Sequence, residues 1–78
     1  MQWFYPLRDI YEANIRAERA EKTGSWHVVV QQRLYCLERS QKAQDPLAIR
    51  FFAHKLSLAY SAMKMVEKAG FYRQLALS

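Results

Sequence analysis

The sequence predicts an all-α protein, a compact three-helix bundle with a long central C-terminal helix. Three observations carry this expectation. Apolar residues recur at helical spacing along most of the 78 residues, residue types suited to helix ends stand at the boundaries, and the one strand-like run has nothing to pair with. Hydrophobic residues make up 51% of the chain, with two glycines, two prolines and no low-complexity tract, which is the composition of a folded domain. We read residues 1–78 as a single domain without linker or internal repeat. A core of this size supplies only about 3–5 kcal/mol by itself, so help from an oligomer is expected.

The first helix is expected over about residues 6–22, with Leu7, Ile10, Tyr11 and Ile15 on one side. Glu12 with Arg16, and Glu18 with Lys22, are acid-before-base pairs four apart, the favourable order on a helix surface. The helix stops at "TGS", where Gly24 stands. A second helix is expected over about 25–41, capped by Ser25 and turning Trp26, Val30, Leu34 and Leu37 inward. Within it "HVVVQ" is a β-branched run that also suits a short strand, but there is no second such run to form a sheet.

The third helix is expected over about 46–69. Asp45 can accept from the free N–H groups of the first turn, and Pro46 stands where a missing N–H costs nothing. At the far end Gly70 is read as a left-handed cap, with Phe71 folded against Val66. Between these ends one seam runs through Ile49, Phe52, Leu56, Ala59, Met63 and Val66. A second, offset by one residue, runs through Ala48, Phe51, Lys55, Leu58, Ala62, Met65 and Ala69. A third line, Arg50, His54, Ser57, Ser61, Lys64 and Lys68, has no apolar member. Two apolar seams beside one polar line describe a helix with two packing partners, and one of those partners can belong to another molecule.

Charge is unevenly placed. The formal net charge is +5, and residues 47–78 hold five basic side chains against Glu67 alone. Lys64 and Lys68 complement a helix C-terminus in this reading. The remainder forms a modest basic stripe suited to an acidic protein surface or a phosphate backbone. No secretory signal is expected, because Asp9 and Glu12 interrupt "MQWFYPLRDIYEA", and no run is long enough to span a membrane. With a lone cysteine, Cys36, read as a small buried side chain, the expected location is cytoplasmic.

Catalysis is argued against. His27 and Cys36, nine residues apart on one helix, fall on roughly opposite faces, and His54 belongs to the polar line. One Cys and two distant His do not make a zinc set, and isolated glycines make no phosphate loop. No metal or cofactor is expected.

Two functions from different classes remain. The first is a protein-interaction module, a regulator or inhibitor that occupies the surface of a partner protein, an acidic one suiting the basic stripe, or pairs as a homodimer. Its expected contacts are Trp3, Phe4 and Tyr5 near the N-terminus, Arg50, Phe51, His54, Leu58, Lys64, Met65 and Lys68 on the third helix, and Phe71 and Tyr72 beyond it. Short, helical, aromatic-rich chains without motifs occur among small regulators and among inhibitors encoded by phages and other mobile elements. The second is nucleic-acid binding. Around "RAEKTGSWHVVVQQR" the positions of Ala20, Gly24 and Val30 look like a helix-turn-helix, which would bring His27, Gln31, Gln32 and Arg33 toward a groove. Arg33 stands there where an apolar anchor is expected, and the basic excess lies elsewhere, so the interaction reading is preferred.

Overall fold

The computed structural model describes residues 4–78, with side chains from Arg8 onward. It is all-helical, with four helices among the described residues: α1 (Phe4–Lys22), α2 (Trp26–Lys42), α3 (Pro46–Ala62) and α4 (Val66–Leu77). The expected first and second helices are present nearly at their expected bounds, and the β-branched run "HVVVQ" is helical. The expected third helix is two helices. The described residues therefore make four helices instead of the expected three-helix bundle, and the long central C-terminal helix is interrupted by a turn at residues 63–65.

The turn forms because Lys64 adopts a left-handed conformation, with φ of 61°. The Met65 N–H then donates to the Tyr60 carbonyl at 2.9 Å and the Lys64 N–H to the Ser61 carbonyl at 2.9 Å, which satisfies carbonyls that a helix end leaves free. The same pair of bonds closes α1, from Ser25 to Ala20 and from Gly24 to Glu21, and closes α2, from Asp45 to Ser40 and from Gln44 to Gln41. Gly24, Gln44 and Lys64, the left-handed residues, follow one another at intervals of 20 residues. The helix starts Trp26, Pro46 and Val66 keep the same interval. A structural repeat is thus present where none stands out in the sequence, because only one of its three turns uses glycine. Gly70, expected as a cap, lies inside α4, and Val66 and Phe71 are both exposed rather than folded together.

Helix starts follow the expected chemistry in part. The Asp45 carboxylate accepts from the Ala48 N–H at 3.2 Å with Pro46 behind it. Ser25 precedes α2 but makes no side-chain cap; its hydroxyl lies 2.9 Å from that of Thr23. On α1, Arg8 pairs with Glu12 at 3.4 Å, and Arg16 reaches across to Gln32 at 3.0 Å instead of pairing with Glu12.

Each helix packs on its sequence neighbours: α1 on α2, α2 on α3 and α3 on α4. The α1–α2 contacts identify an antiparallel hairpin. Tyr35 and Arg39 approach Asp9, the Cys36 thiol points to the Ile10 carbonyl, and Arg16 bonds Gln32, so positions rise on one helix as they fall on the other. The result is a flat slab, 41 × 29 × 13 Å. Its core joins Ala13, Cys36, Leu37, Phe52, Leu56, Tyr60 and Ala69, with Ile10, Val30, Leu34, Met65 and Leu75 packed around them. The inward faces differ from expectation on α1, where Ala13, Ala17 and Ala20 are buried and Tyr11 is exposed. On α2 Leu37 is buried as expected, but the inward set also takes in Val29, Arg33, Cys36 and Ser40, with Trp26, Val30 and Leu34 half-buried beside them. No helix is long and apolar enough to cross a membrane among the described residues.

Candidate protein-interaction surface

Helix α3, like α2, has neighbours on two sides, and its buried arc holds Phe52, Ala53, Leu56, Ser57, Ala59 and Tyr60. Its opposite arc is apolar as well. Leu47, Phe51 and Leu58 are 72%, 45% and 50% exposed. At 100° per residue the three fall within about 40° of one another, on a line about 17 Å long. The spacing is four residues and then seven, with exposed His54 between them at the line's edge. A folded chain leaves single large apolar residues exposed without consequence, but an aligned row of them marks a contact surface.

The row is built on a rigid base. The Phe51 ring meets the buried Phe52 ring edge-on with centroids 5.1 Å apart, and the Lys55 ammonium sits 5.8 Å from the Phe51 centroid. Phe51 thus meets the core on one side through Phe52 and has a cation beside its ring, with the rest of the ring exposed. Arg50 lies about 80° to one side of the row and Lys55 about 60° to the other. Helix α3 contains no acidic residue at all.

The other expected interaction residues are dispersed by the turn. Lys64 is in the turn itself, and Lys68 is on α4, with its ammonium 5.6 Å from the ring centroid of Tyr60. Met65 is half-buried against the core, so it does not extend the Phe51 and Leu58 row. Tyr72 stacks on Tyr60 with centroids 5.5 Å apart, while Phe71 is exposed. These two, with Leu34, Tyr35, Leu37 and Leu75 and the polar Glu38 and Gln41, line a mixed groove of about 530 Å³ between α2 and α4. Trp3 lies outside the described residues, as do the side chains of Phe4 and Tyr5. Leu47 was in neither expected seam, although its position two residues into α3 gives it the spacing that joins Phe51.

Of the residues expected at a nucleic-acid groove, Gln31 and Gln32 line one concavity with Asp9, Glu12, Arg16 and Tyr35, and Arg33 is not part of it. His27 and Gln31 are exposed, and Gln32 is engaged by Arg16. Arg33 is fully buried, which corrects its expected place at the surface. Its Nη1 lies 3.5 Å from the Glu21 carboxylate. The guanidinium nitrogens make no hydrogen bond among the described residues. The side chain occupies the apolar-anchor position that the sequence pattern had reserved. The antiparallel α1–α2 hairpin also differs from the steep crossing of a helix-turn-helix.

Cys36 is buried, and its thiol donates to the Ile10 carbonyl at 3.6 Å. Burial pushes the thiol up to about 11, against the opposing charges of Arg33 and Arg16. It is therefore a neutral thiol at physiological pH, not a nucleophilic thiolate. No protein-family model matches the chain, and neither a curated protein nor a solved structure matches it.

Proposed function

We propose that this protein is a small helical interaction module without chemistry of its own, which regulates or inhibits a partner protein by occupying its surface. The observation that carries this reading is the exposed row Leu47, Phe51 and Leu58 on α3, supported from behind by the core and flanked by Arg50 and Lys55. Such a row contributes affinity by desolvation, while flanking cations contribute orientation and association rate. A nucleic-acid partner is less well supported: a phosphate backbone offers nothing to the apolar row, Arg33 is withdrawn from the surface, and the α1–α2 geometry is that of a plain hairpin.

A photo-reactive amino acid placed at position 58 tests the reading in the cell that makes the protein. It is expected to trap a specific protein, whereas the same group at exposed Tyr11 on α1 is expected not to. Equal trapping from both positions, or none from position 58, would count against an interaction module built on α3.

A further inference from the structure

We infer that the α3 row is a docking line for an acidic amphipathic helix of the partner, laid along Leu47, Phe51 and Leu58 with its carboxylates beside Arg50 and Lys55. This rests on the interaction reading above and names the chemistry of the partner. The first argument is shape. The row is a single file, narrow enough to match the seam of one helix, and with exposed His54 at the position between Phe51 and Leu58 its spacing is the four-three-four alternation through which paired helices interlock. A partner helix of three turns covers its length of about 17 Å.

The second argument is charge. In a helix pair the residues beside the apolar seam face their counterparts across it and select the partner. Here those residues include Arg50 and Lys55 and no carboxylate, since α3 has none. The nearest acidic side chains in the sequence are Asp45, whose carboxylate is taken up by the Ala48 N–H at the helix start, and Glu67 on α4. A second copy of this chain laid on the same row would therefore set cation against cation in either direction, which disfavours self-pairing there. A helix with Asp or Glu flanking its own apolar seam turns each of those contacts favourable. The anionic surface of a membrane offers the same charge, but three side chains in single file give little apolar area to insert, whereas they fill one helix seam.

The test uses two stapled helical peptides of the same length with leucine along the seam, one carrying glutamates beside it and the other lysines. At physiological salt the glutamate peptide is expected to bind the full chain at least about tenfold more tightly than its lysine twin, a difference of about 1.4 kcal/mol. Leu47→Ser with Leu58→Ser, both changes at exposed positions, should weaken the glutamate peptide at least about tenfold with helicity retained. Arg50→Glu with Lys55→Glu should reverse the preference. Equal binding of the twins, no binding of either up to about 100 µM, or a preference unmoved by the charge reversal would overturn the proposal. So would recruitment to phosphatidylserine vesicles in place of the peptide, or self-association lost in the Leu47 and Leu58 variant. The two readings fail separately: a protein trapped from position 58 whose capture ignores the charge reversal keeps the module and removes the acidic helix.

Discussion

Lys64 and Gly70 exchange the roles that their residue types suggest, and both are accessible to substitution. Lys64 holds φ at 61°, where a side chain costs roughly 1 kcal/mol, so Lys64→Gly should stabilise the fold by about that amount. Gly70 is helical, and a Cβ built there meets nothing within 4 Å. Gly70→Ala should therefore stabilise by about 0.5–1 kcal/mol, read as a higher urea midpoint at unchanged slope. A destabilising Gly70→Ala would mean that the chain stops at Gly70 after all. Arg33 makes a sharper contrast. Its charge is fully buried with Glu21 as its ion-pair partner, so Glu21→Ala, which leaves the charge uncompensated, should cost more than Arg33→Met, which removes it. The reverse order in urea unfolding would contradict the burial of Arg33. The Cys36 thiol gives a pH signature. Its ionisation moves from an ordinary 9.0 to about 11 in the folded state. Because burial disfavours the thiolate, its contribution to stability is whole below pH about 9 and is lost as pH rises toward about 11, by up to about 2–3 kcal/mol. Cys36→Ala should flatten that part of the stability profile, leaving the smaller alkaline loss contributed by Tyr60, which burial and then Tyr72 also raise.

At the scale of elements, what could be read in advance depended on whether a helix end was made by a side chain or by the backbone. Asp45 and Pro46 declare the start of α3 through their own chemistry, and the Asp45 carboxylate makes the expected bond. The end of α3 is made by backbone conformation at a lysine, which carries no marker, so the apolar pattern ran on through Met63 and Met65 into α4 as though unbroken. The pattern itself survived only where the helix did. Phe51 and Leu58 were readable as a seam distinct from Phe52 and Leu56, and they are exposed as such a seam allows. Met65, one turn and a break further on, is returned to the core. Arg33 was legible in part: the pattern marks its position as that of an apolar anchor, while the side chain was expected at a groove and is instead buried against Glu21. Helix α4 depends on α3 through Ala69 and the stack of Tyr72 on Tyr60. Tyr60→Ala removes a buried aromatic and should cost about 3 kcal/mol, with amide exchange in α4 accelerating before that in α1 and α2. Uniform acceleration in all four helices would mean that α4 does not loosen as a separate unit.

At the scale of the whole molecule, helices packed only on their sequence neighbours make a slab with two broad faces, and a thin structure must leave apolar residues near water. What distinguishes α3 is that its uncovered residues align and that two of the chain's surplus cations, Arg50 and Lys55, flank them, while Lys64 lies in the turn and Lys68 on α4. Long-range attraction of an acidic partner then depends moderately on salt, whereas duplex DNA would depend on it steeply. No tight binding to duplex DNA is therefore expected at physiological salt; a retarded band lost on changing Gln31 and Gln32 would promote the nucleic-acid reading. The most direct measurement is a map of backbone amide shifts while the glutamate-flanked helical peptide is titrated into the protein. Shifts concentrated at Leu47, Arg50, Phe51, His54 and Leu58 are the predicted result. Shifts centred instead on Leu34, Tyr35 and Phe71 in the α2–α4 groove, or no shifts at saturating peptide, would contradict an α3 docking line.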